Sequence, residues 1–133
     1  MITPNKPTQY MLLFKGNAWH KALSPEQAQQ VVEQWMAWFD RLTREGKVKA
    51  GSPLEPEGKV VSGKKGRVVA DGPFAESKEA IGGYFLLEVS SMEEATAIAQ
   101  GCPGLDFGAV VEVRPVAPEC TLKREQELAA AHA

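Results

Sequence analysis

The chain has 133 residues, 44% of them apolar and 24% charged, with a formal charge of −2. That is one domain's worth of sequence with the composition of a folded globular protein, so wholesale disorder and a surface made throughout to track nucleic acid are both excluded. Its apolar runs, Tyr10–Phe14 and Tyr84–Leu87, are far shorter than the roughly 20 residues of a membrane-spanning helix.

Residues 1–8, with Pro4 and Pro7 and no periodicity, read as a flexible leader. They lack a signal-peptide hydrophobic region, so a cytoplasmic protein with two reduced thiols, Cys102 and Cys120, is expected. Gln9–Gly16 reads as a strand. Ser24, Pro25 and Gln27 then form an S-P-x-Q helix start with a capping box. From Pro25 to Glu45, Ala28, Val31, Val32, Trp35, Met36, Phe39 and Leu42 recur at helical spacing and form one apolar stripe, ended by Gly46.

Lys47 to Pro56 begins as a strand, and Val60-Val61 and Val68-Val69 flank a glycine-bounded hairpin turn. Asp71-Gly72-Pro73-Phe74 breaks the ladder, because proline cannot donate to it. A further strand runs from about Gly83 to Val89. Ser91 and Glu94 suggest a second capping box, with Met92, Ala95, Ile98, Ala99 and Cys102 as its stripe. The last core strand is Ala109–Arg114, and Leu122–Ala131 in the 118–133 tail is rich in helix formers.

This order predicts an α+β fold: a ferredoxin-like split βαβ with an inserted hairpin, its antiparallel sheet carrying both helices on one face. Such a half-covered sheet should alternate apolar and polar residues. Instead, Tyr10, Leu12 and Phe14 are opposed by Met11 and Leu13, and Phe85, Leu87 and Val89 by Tyr84 and Leu86. Leaving such side chains in water forgoes about 1.5–3 kcal/mol each. The expected solution is a homodimer through the sheet face, two sheets packed face to face.

Gly58 to Lys65 fits G-x-x-x-x-G-K, but Lys65 stands where a phosphate loop needs Ser or Thr, and a strand follows where a helix is required. No metal-ligand spacing and no G-x-S-x-G elbow is present, so neither metal nor cofactor is expected. Nucleic acid is not an expected partner either.

The distinctive chemistry is Asp71-Gly72-Pro73-Phe74-Ala75-Glu76-Ser77-Lys78-Glu79, followed by Gly82-Gly83-Tyr84. If this loop folds over the sheet's end, Asp71 is a candidate general base or polar anchor. Gly72, Pro73, Phe74, Glu76, Lys78, Gly83 and Tyr84 would then line the ligand pocket. On residue chemistry alone the simpler reading is a turn-capping Asp71, with Lys78 and Glu79 solvated or salt-bridged. His20, after Trp19, carries an imidazole, the side chain suited to acid–base work, and is the second catalytic candidate, although a lone loop histidine is usually just exposed. Arg114, near the end of the last strand, suits an anionic ligand or, the simpler reading, an ion pair with a carboxylate across the dimer.

These motifs, together with Val113-Arg114-Pro115-Val116, resemble the DGPF branch of the YCII-related proteins over roughly Gln9 to Val116. The resemblance implies a dimeric α+β barrel spanning residues 9–117. Another branch of the family is thought to pair an aspartate with a histidine on the first helix. Pro25–Glu45 contains no histidine, so only Asp71 carries over. The implied function is a small-molecule-binding domain, an enzyme if Asp71 moves protons. The alternative is a non-catalytic regulatory module, since some relatives are encoded beside extracytoplasmic-function sigma factors.

Overall fold

Tyr10, Leu12 and Phe14 turn one face of strand β1 (Gln9–Lys15) into the centre of the core, and the rest of the sheet is registered on them. The computed structural model describes residues 8–16, 18–72 and 79–131. After β1 come α1 (Pro25–Arg44), β2 (Val48–Pro53), β3 (Lys59–Ser62), β4 (Val68–Asp71), β5 (Ile81–Glu88), α2 (Met92–Ala99), β6 (Val110–Pro115) and α3 (Thr121–Ala131). The main sheet has the order β2-β5-β1-β6 with every neighbour antiparallel. This is the expected ferredoxin-like arrangement, and β2 and β6 leave the sheet open at its two edges. The inserted hairpin is a separate two-stranded sheet, β3–β4, pairing Val61 with Val69 and Lys59 with Asp71.

Register explains which face is dry. Leu12 lies opposite Phe85 and Val113, and Phe14 opposite Gly83 and Val111, so period-two alternation sends these side chains to the same side. Both α1 and α2 cover that side, through Trp38 and Leu42 of the first and Ala95 and Ala99 of the second. On the other face Met11 stands opposite Leu86 and Leu13 opposite Tyr84, all four half-buried. No residue of α3 is buried.

The ends of α1 follow their local chemistry. Ser24 Oγ accepts the Gln27 N–H at 3.1 Å and Gln27 Oε1 accepts the Ser24 N–H at 3.0 Å, completing the capping box. At the far end Gly46 takes φ = +75°. There the Lys47 N–H reaches the Leu42 carbonyl (2.9 Å) and the Gly46 N–H the Thr43 carbonyl (3.0 Å), the two bonds of a Schellman stop. The second box is only half made. Ser91 Oγ accepts the Glu94 N–H at 3.1 Å, but the Glu94 carboxylate turns to the N–H and hydroxyl of Ser90.

The predicted stripe of α1 is corrected in two respects: Trp38, which it omitted, is buried, and two of its members are exposed. Val31, Trp38 and Leu42 are buried, with Trp35 half-buried, and these four form the ridge that meets the sheet. Val32 and Met36 lie on the neighbouring ridge and are 56% and 62% exposed. An apolar band wider than the contact it serves leaves its edge facing something else. Trp38 joins the core through edge-on contacts with Phe14 and Trp35 and a tilted one with Phe85. Its Nε1 is buried with no hydrogen-bond partner among the described residues. An orphan donor of that kind costs about 1–3 kcal/mol.

Candidate functional site

The second ridge of α1 faces a cavity of about 780 Å3, bounded by α1 from Ala28 to Asp40, the 3-10 turn Trp19–Ala22 and the adjacent ends of β1, β2 and β5. Its walls are aromatic: Phe14, Trp19, Trp35, Phe39 and Phe85. Trp19 stacks on Trp35 with the ring planes 15° apart, and Phe14 meets Trp35 edge-on at 4.8 Å. Gly51 makes the β2 wall possible. A Cβ there would come within 2.8 Å of Phe85 and 2.9 Å of Phe39, so only glycine lets both rings lie against the strand. The polar lining consists of His20, Lys21, Asp40 and Ser52. Such a site suits a flat, mainly apolar molecule oriented by a few polar groups.

Two of the sequence candidates line this cavity, His20 and Gly83. The His20 ring lies edge-on to Trp19 at 5.6 Å and is exposed. Tyr84 alternates to the helix-free face of β5, opposite Leu13 and Ser52. Asp71 ends β4 with its side chain 87% exposed, in contact with the ammonium of Lys59 directly across the ladder. Gly72 donates its N–H to the Gly58 carbonyl at 3.0 Å. Neither Asp71 nor Gly72 lines the cavity. Pro73, Phe74, Glu76 and Lys78 lie outside the described residues. One described end of the segment meets the cavity wall, and the other pairs with Gly58, outside the lining. Gly58 follows the lining residue Pro56 by two positions, and Ala80 accepts the N–H of the lining residue Gly16 at 2.8 Å.

The sequence reading missed Trp19, Trp35, Met36 and Phe39 as site residues, having placed three of them in the core stripe. The available signal was that stripe's width, together with glycines at 51, 82 and 83 close to it in the fold.

On the helix-free face, Lys15 gathers two carboxylates, Glu79 at 2.7 Å and Glu112 at 3.1 Å, and its side chain is 17% exposed. Arg114 approaches Glu112 of its own chain at 3.9 Å. Hydrogen bonding to Glu79 and then Glu112 raises the Lys15 pKa above 10.5, and Lys15 in turn lowers that of Glu79 below 4.5. A depressed carboxyl contributes stability above its unfolded value that is lost as pH falls through the folded one. A raised lysine contributes stability below its unfolded value that is lost as pH rises through the folded one. Urea unfolding of the wild type and Lys15→Met should therefore differ by a constant amount through neutral pH. The gap is expected to close as the solution is acidified past 4.5 and again above 10.5. A gap that does not change with pH would show that the lysine acts through packing alone.

Among the described residues, no three His, Cys, Asp or Glu side chains cluster to hold a metal ion, and no helix is long and apolar enough to cross a membrane.

Comparison with known families places this arrangement. Residues 8–119 match the model of the YCII-related domain, which takes in all six strands and both core helices. The chain belongs to the YCII-related family. A search of the curated proteins finds no match. Among solved structures the YCII-related chain is similar to 5-chloro-2-hydroxyhydroquinone dehydrochlorinase from Burkholderia phenoliruptrix AC1100, in complex with 2,5-dihydroxybenzoquinone. The two share 15% identity over 82% of this chain and 93% of that one, with a TM-score of 0.43.

Proposed function

We propose that the protein is a cytoplasmic homodimer that binds a small, largely apolar molecule in the aromatic cavity. In this reading His20 and Lys21 meet the ligand's polar group at the mouth. Asp71, outside the lining and held by Lys59, enters this reading through the DGPF motif as the acid–base residue. The unit that carries this activity is residues 9–117, with the 118–133 tail accessory to it. The observation that carries the reading is a cavity of about 780 Å3 walled by five aromatic rings in a small domain, with few polar groups at its rim. The dimer would bury Met11, Leu13, Tyr84 and Leu86 against the same four residues of a second copy, as a symmetric interface requires.

The test is what the protein retains when purified from its native cell under mild conditions. A small molecule released on denaturation, bound at least about tenfold more weakly by Asp71→Asn with an unchanged melting temperature, is the expected result. A variant that loses stability while holding the ligand as well as the wild type would make Asp71 a structural residue.

A second reading, a non-catalytic module that docks on a protein such as a sigma factor, draws on one observation. The β3–β4 hairpin exposes Val60, Val61, Val68 and Val69, each roughly half accessible or more. Alternation puts the cross-strand pair Val61 and Val69 on one face of the ribbon and Val60 and Val68 on the other, and exposed apolar pairs of this kind suit a partner surface. Recovery of a stoichiometric protein partner and no small molecule would favour this reading.

A further inference from the structure

Every residue of both strands of the β3–β4 hairpin is exposed, so the domain covers neither face of this ribbon. A two-stranded ribbon is marginally stable alone in water and persists when an apolar face is packed on something. Val61 and Val69, directly paired across the ladder, put two side chains that are 61% and 60% exposed on one such face.

The charges of the hairpin are sorted along its length. At its base Lys59 and Asp71 pair across the ladder and neutralise each other. Lys64, Lys65 and Arg67 crowd the tip, whereas Glu55 and Glu57 stand on the approach to β3. Among the described residues none of these five has an ion-pair partner. The four residues of β3 alone span about 10 Å, more than the Debye length of about 8 Å, so tip and base are screened from each other within one copy. Lys65 is also the one non-glycine with positive φ (+59°) among the described residues. The turn holds a cation where glycine would be unstrained.

A second copy turned end for end supplies what each end lacks. We propose that two copies associate through their hairpins, laid antiparallel about a two-fold axis. The basic tip of each then meets the acidic base of the other, and Val61 and Val69 close on their counterparts. The symmetry makes every such contact twice. Duplex DNA would meet the tip but also the two glutamates, and a bilayer would have to take up the charged tip before the valines. The ribbon is short, so the contact belongs to the small, transient class and weakens with salt. It shares no residue with the sheet face or the cavity lining and is independent of the proposals made for them.

The test is sedimentation equilibrium of the full chain at low salt and about 100 μM, a concentration suited to a small interface. It is run in the Leu13→Asp background to remove the sheet-face contact and, should that variant not fold, in the wild type. The expected result is reversible self-association. Reversing the tip (Lys64→Glu, Lys65→Glu, Arg67→Glu) or the base (Glu55→Lys, Glu57→Lys) is expected to weaken it at least about tenfold. All five side chains are exposed, so the fold is retained. Mixing the two variants is expected to restore association, because only the mixed pair brings opposite charges together at both ends. Adding Val61→Ser and Val69→Ser to both should abolish the restored complex. A folded chain that stays monomeric, a mixture that does not associate, or one that associates equally without the valines would overturn the proposal. So would a hairpin that is covered only by duplex DNA or by a different protein.

Discussion

Ala28→Phe is expected to weaken binding of the fluorescent apolar probe anilinonaphthalene sulfonate at least about tenfold, while leaving the melting temperature at or above that of the wild type. Ala28 is half-buried on the second ridge of α1, where it lines the cavity beside Val32 and Met36. A benzyl group placed there enters open space, so the overpacking that usually accompanies small-to-large changes in a core does not arise. The added ring takes the wall area a ligand would have covered, and roughly 60 Å2 of lost apolar contact corresponds to a factor of ten. Unchanged probe binding would mean that the probe sits elsewhere, and the cavity would lose its claim to be the site. A fall in stability would mean that the space is already occupied by the protein's own side chains.

A second large effect is expected at the helix-free sheet face. Leu13→Asp should convert the proposed face-to-face dimer to a monomer at micromolar concentration in a sedimentation experiment. Leu13 is half-buried, opposite Tyr84 on one neighbour and Glu112 on the other. A carboxylate there lies beside Glu112, and in a face-to-face pair the substitution is felt twice, once from each copy. Desolvating an unpaired carboxylate costs several kcal/mol, enough to exceed the net affinity of an ordinary interface. The chain's core is spared because Leu13 points away from α1 and α2. A wild type that sediments as a folded monomer would remove the reason for the two-faced strands.

The succession of strands and helices along the chain and the helix ends were legible because they depend on neighbouring residues. Ser24, Pro25, Gln27 and Gly46 act within one turn of the chain, and their predicted roles are the ones observed. The hairpin between Val61 and Val68 was equally local. The position of the site was not local. Whether Val32 or Trp38 meets the sheet depends on how α1 is rotated about its axis, the two standing about 120° apart around it, and spacing alone leaves that rotation open. The cavity exists because that rotation turns the Ala28, Val32 and Met36 ridge outward while Gly51 brings Phe39 and Phe85 onto β2. For Asp71, sequence chemistry supplied the residue type but not its surroundings. Its ion pair with Lys59 follows from the hairpin register, twelve residues away in the chain. Trp38 carried no polar signal at all, since an indole N–H left without a partner becomes visible only once the core is packed.

The most direct measurement is a crystal structure of the full chain soaked with the same naphthalene probe. The expected result is ordered density for its rings between Trp35 and Phe39, with the sulfonate turned to His20 and Lys21. Probe density only at other places, with Trp19 and Met36 folded into the space instead, would contradict the assignment of this cavity as the ligand site.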